Sequence, residues 1–122
     1  MIGLGVFLGG GVGALLRYGI EGIVAQHHRS PFPLSTLIVN VSGSALLGGI
    51  AGALSRGTLP ADLGVWLGAG IVGGYTTFST FTYETLRLAE DGAWRYVGWN
   101  LALSGPLSFA AAGITYVLAK GV

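Results

Sequence analysis

The chain has no cysteine and very little charge: of 122 residues, six are Lys or Arg and five are Asp or Glu, for a net charge of +1. The missing cysteines exclude disulfides, thiolate metal sites and a Cys nucleophile. The missing charge excludes more. Soluble domains carry roughly 25% charged residues, against 9% here, and a chain this short must expose much of its surface. So few charges cannot dress that surface for water. There is no basic face for nucleic acid. Disorder needs low hydrophobicity, whereas 52% of these residues are hydrophobic and the mean hydropathy is +0.70. What remains is a small integral membrane protein, and no enzyme is expected.

Residues 34–54 and 63–83 are uncharged runs of 21, and residues 96–119 are an uncharged run of 24. Each reaches the roughly 20 residues that a helix needs to cross hydrocarbon. Only 16 residues precede Arg17, but the apolar pattern continues through Ile20, Ile23, Val24 and Ala25. The expected spans are therefore about 2–25, 34–54, 63–88 and 95–119. A cleaved leader would open with positive charge; nothing basic precedes Arg17, so a retained first helix is expected. The connections are short: QHHRSPFP, SRGTLPAD and EDGA. Long helices joined by short loops run up and down in a bundle. The fold class read from the sequence is all-α, with four transmembrane helices in a single domain over residues 1–122.

Lys and Arg in loops set orientation. One face would carry Arg56 and Lys120, the other Arg29, Arg87 and Arg95, with Arg17 approaching it. So weak a bias permits insertion in both orientations.

Helices in lipid are held by close contact between small residues. Gly5, Gly9 and Gly13 fall on one face of the first helix, and Ser44, Gly48 and Gly52 on one face of the second. Most of the 23 glycines are read as packing. No GxxxxGK[ST] loop is present and no GxGxxG follows a strand, so nucleotide binding has no support.

The third span breaks the pattern. Its centre reads Val72-Gly73-Gly74-Tyr75-Thr76-Thr77-Phe78-Ser79-Thr80-Phe81, and two glycines followed by two threonines form a poor helix. Non-helical backbone at membrane depth is tolerated where it is buried in protein or lines an ion site. A glycine kink re-satisfied by Thr hydroxyls is the competing account. Phe78 and Phe81 share a helix face, among the hydroxyls of Ser79, Thr80 and Thr82. Aromatic ring edges carry partial positive charge, so they can face a small anion without trapping it.

The other spans add polar groups. Asn40 lies roughly 6 Å from the centre of the second span, with an amide offering two donors. Ser104 and Ser108 straddle the centre of the fourth span, Asn100 extends their face, and Pro106 frees the Ala102 carbonyl. No carboxylate sits deep. Glu21 lies beside Arg17 and Glu84 beside Arg87, toward span ends, where ion pairing or snorkelling accounts for them. His27 and His28 are in a loop without acidic partners, and a metal site there is not expected.

At GGYTTFSTF, residues 73–81, the sequence resembles the Fluc (CrcB-like) fluoride channel family. The resemblance covers nearly the full length. GGGVGALLRY, residues 9–18, is similar to that family's GGxxGAxxRY, which includes Arg17. STLIVNVSGSALLG, residues 35–48, is similar to its G-T-L-x-V-N-x-x-G-x-x-x-x-G, with Ser35 where Gly is usual. TTFSTF, with Thr77 and Thr80, followed by Glu84, is the strongest signature. The resemblance implies a passive channel exporting fluoride across a prokaryotic plasma membrane, as an antiparallel, dual-topology homodimer whose third helix is broken at mid-membrane. It implies a structural sodium ion on the backbone carbonyls of Gly73 and Thr76. It implies an ion pathway past Asn40, Phe78, Phe81, Ser104 and Ser108. Where the family often has Tyr, one turn before Ser104, this chain has Asn100. Two rivals remain: a small multidrug-type proton-coupled transporter, for which Glu21 is the only candidate carboxylate, and a non-transporting membrane subunit.

Overall fold

A computed structural model describes residues 2–121; Met1 and Val122, the ends of the expected domain, lie outside the described residues. All of its regular structure is helical: α1 (Ile2–His27), α2 (Leu34–Arg56), α3 (Ala61–Val65), a π-helix (Trp66–Val72), α4 (Gly73–Tyr75), α5 (Phe78–Glu90) and α6 (Trp94–Lys120). Helices α1, α2 and α6 are long and apolar enough to cross a membrane.

Turn chemistry sets the ends. Pro31 and Pro33 precede α2, which stops at Gly57 with φ of 85°. The Gly57 amide turns back to the Ala53 and Leu54 carbonyls at 3.0 and 3.1 Å, a left-handed cap that glycine adopts without strain. Gly92, with φ of 74°, makes the tight turn into α6. Pro106 is on the exposed side of α6, and the helix continues through it.

Two helix pairings carry the packing. The most extensive is α2 against α6, and α1 lies along the π-helix and α4. Both depend on missing side chains. A Cβ on Gly48 would strike the Ala112 carbonyl, and one on Gly52 the Tyr116 carbonyl. A Cβ on Gly13 would strike the Ile71 carbonyl, and Gly9 would come within 3.1 Å of the Ile71 nitrogen. The glycine stripes of the sequence are thus contact surfaces, where dispersion takes the place of a hydrophobic drive.

Burial is inverted relative to a water-soluble domain. The buried apolar side chains are Val39, Val72, Tyr75, Leu88 and Val97, and beside them lie four buried polar ones: Thr36, Thr77, Asn100 and Ser104. The largest apolar groups face out, with Phe109 84% exposed and Phe7 75% exposed. Such an exterior suits hydrocarbon and not water.

The stretch over residues 61–90 is not one continuous helix. It begins as α-helix and widens to a π-helix where Gly68 and Gly70 are buried. Gly73 and Gly74 are helical, so the double glycine is not where the helix stops. The interruption comes two residues later, at Thr76 (φ −82°, ψ 159°) and Thr77 (φ −149°, ψ 119°), both extended. Gly74 is a contact point instead: its Cβ would strike the Gly10 carbonyl of α1.

Candidate functional site

Two extended residues inside a helical run leave main-chain groups to be satisfied. The Thr76 amide and hydroxyl both reach the Val72 carbonyl, at 2.9 and 3.0 Å. Thr77 caps α5, its hydroxyl accepting from the Thr80 amide at 3.1 Å. The main chain of Thr77 is held from α2: its amide donates to Asn40 Oδ1, and Asn40 Nδ2 donates to its carbonyl, each at 2.8 Å. Asn40 therefore does not offer two free donors, as the sequence suggested. One N–H holds Thr77 and one is left. No backbone amide among the described residues turns to the carbonyls of Gly73, Gly74, Tyr75 or Thr76.

A groove of about 330 Å³ opens beside this link. Asn40, Gly43, Ser44 and Leu47 line it from α2, Thr76 and Thr77 from the link, Phe78 and Phe81 from α5, and Ser104, Gly105 and Ser108 from α6. Residues far apart in sequence meet because Gly43 lets Thr76 in: a Cβ there would strike the Thr76 methyl. The Phe78 and Phe81 rings lie 6.0 Å apart between centroids, tilted by 38°. Phe78 is 79% exposed, so the groove is open on that side. The lining has hydroxyls, one amide and two aromatic rings, and no ionisable side chain.

Of the residues singled out from the sequence, Asn40, Thr76, Thr77, Phe78, Phe81, Ser104 and Ser108 meet in this groove. Gly73, Thr80, Glu84 and Arg17 are not in its lining. Glu84 is not held by Arg87, contrary to expectation. Thr36 of α2 donates to Glu84 Oε1 at 2.5 Å, while Arg87 Nη1 donates to the Tyr83 hydroxyl at 3.2 Å. Several polar partners were missed. Thr36 and Thr85 looked like ordinary span residues, and Ser44 like part of a packing stripe. Tyr75, 7% exposed, meets the Ser42 hydroxyl at 2.9 Å. Ser42 already donates to the Ile38 carbonyl at 2.7 Å, so Tyr75 is the donor of that pair. A signal existed for Ser44: it lies one helical turn after Asn40.

Apolar surfaces outside, hydroxyls and amides inside, and one polar groove without fixed charge define a multi-pass helical membrane protein. Residues 4–116 match the family described as CrcB-like protein, Camphor Resistance (CrcB), and the chain belongs to that family. It is 47% identical over 118 residues to the fluoride-specific ion channel FluC 2 of Mycolicibacterium paratuberculosis, covering 96% of this chain and 93% of that one. It is 43% identical over 122 aligned positions to FluC 1 of Frankia casuarinae, covering 96% and 95%. To FluC 2 of Mycobacterium tuberculosis strain H37Rv it is 44% identical over 111 residues, covering 91% and 85%.

Proposed function

We propose that the chain is a fluoride-selective channel through which the ion leaves the cell passively. The observation that carries this reading is the groove, where Asn40, Phe78, Phe81, Ser104 and Ser108 come together without an ionisable group. Fluoride is small and strongly hydrated, and the remaining Asn40 N–H and serine hydroxyls can replace part of its water. The positive edges of Phe78 and Phe81 attract an anion weakly enough to release it. A buried Lys or Arg would hold it. The names of the relatives, fluoride-specific ion channels, support fluoride as the ion.

The groove is one-sided, and we read its open side as covered by a second copy. An antiparallel homodimer fits the weak bias of Lys and Arg and would bring two interrupted helices together near the membrane midplane. The carbonyls of Gly73 and Thr76, which receive no backbone donor, are neutral oxygens of the kind that hold sodium in interrupted membrane helices. They fit a structural sodium ion, whose charge would offset the cost of an anion nearby. Asn40 orients the link, Thr77 starts α5 and so aims the two rings, and the glycine contacts hold the helices that carry them.

Fluoride efflux from liposomes containing the purified protein, followed with a fluoride electrode, tests this reading. Fluoride is expected to leave while chloride is retained. Inserted protein that passes no fluoride would overturn it.

A further inference from the structure

The α6 wall of the groove carries a run of hydrogen bonds whose direction is fixed from one end. The Thr85 hydroxyl donates to the Phe81 carbonyl at 2.7 Å. A hydroxyl has one hydrogen, so toward Asn100 Thr85 can only accept, and it does, from Nδ2 at 2.8 Å. That orients the amide: Oδ1 faces Ser104, whose hydroxyl donates to it at 3.0 Å. Asn100 is fully buried and Ser104 is 6% exposed, which leaves water little room to compete. Ser104 nevertheless borders the groove, and its single hydrogen is turned away. What faces the groove is a lone pair. Ser108, one turn further along the same wall, has a hydroxyl that no other described residue engages.

We propose that Asn100 is a positioning residue that sets the polarity of Ser104. It draws the hydroxyl hydrogen out of the groove, so that Ser104 meets a passing ion as an acceptor, through a bridging water. Ser108 is then the hydroxyl donor of that wall. This rests on reading the groove as an anion path. The two serines, alike in sequence, have opposite roles. Loss of the Asn100 carbonyl would let Ser104 donate to a bare anion and hold it, so release becomes slower.

Asparagine occurs only at positions 40 and 100, so protein labelled with isotopic asparagine gives two side-chain amide signals by NMR, assigned with Asn100→Leu. Without fluoride, Ser104→Ala is expected to move the Asn100 carbonyl resonance and leave that of Asn40. An unmoved Asn100 signal overturns the proposal whether or not the chain conducts. In liposomes, Asn100→Leu is expected to slow fluoride efflux roughly tenfold, yet by less than about twofold when Ser104 is already Ala. Equal losses in both backgrounds overturn it, because Asn100 would then only dock α5 on α6. Should Asn100→Leu fail to fold, Thr85→Val, which removes the acceptor that orients the amide, replaces it with the same expectation. No efflux from the parent protein overturns the anion path itself, and the labelled amide still decides the direction of the Ser104 bond.

Discussion

Asn40 and Thr77 exchange two hydrogen bonds of 2.8 Å, a side-chain amide standing in for the helical neighbours that an extended residue has lost. Thr77 is 7% exposed, so neither of its main-chain groups has ready access to water. Asn40 is thereby a structural residue as well as part of the groove.

Asn40→Ala is expected to destabilise the protein by about 2–4 kcal/mol, since each buried group left unpaired costs about 1–3 kcal/mol. Asn40→Asp keeps the acceptor for the Thr77 amide and loses the donor, so a smaller loss is expected. Thermal unfolding of the purified protein in detergent measures both. An unchanged midpoint in Asn40→Ala would mean that the link holds its shape without α2.

The α2–α6 contact gives a second test. Gly48→Ala places a methyl against the Ala112 carbonyl, where main chain must move, whereas at Gly49 a Cβ would meet nothing within 4 Å. Gly48→Ala is expected to cost about 1–3 kcal/mol, the usual range for overpacking. Gly49→Ala should be neutral or slightly stabilising, because alanine is the better helix former. Equal behaviour of the two variants in thermal unfolding would refute close packing at Gly48.

Phe78 and Phe81 separate function from stability. Phe78 is largely exposed, so Phe78→Ile should shift unfolding by less than about 1 kcal/mol, as other exposed substitutions do. Phe81→Ile keeps apolar bulk on the half-buried side. Both variants are expected to abolish fluoride efflux while the protein still inserts and folds. Normal efflux from both would remove the rings from the proposed pathway.

The helices and their packing were legible because lipid imposes few choices. Uncharged runs had to be helical, and small residues four apart had to be contacts, as Gly13, Gly48 and Gly52 are. The polar residues of the groove were also legible, since Asn40, Ser104 and Ser108 have no ordinary reason to lie in hydrocarbon. Their pairing was not. Whether Asn40 presents free donors or holds Thr77 depends on where the helix stops, and helix propensity pointed to Gly73 and Gly74. Tertiary contact decided otherwise, because Gly74 is needed as helix against Gly10. Glu84 was misread for a similar reason: on its own helix Arg87 is the nearest charge, but Thr36 of α2 reaches it.

The π-helix over Trp66–Val72 gives chain length an angular meaning. A π turn takes up about one residue more than an α turn, and each α-helical residue advances the chain by about 100° around its axis. Loss of any single residue there would let the coil tighten to α and rotate all that follows by about that angle. Thr77 would then swing away from Asn40, and both rings with it. The extra residue thus works as a phase setting: one deletion far from the groove would mis-aim it without removing any of its atoms.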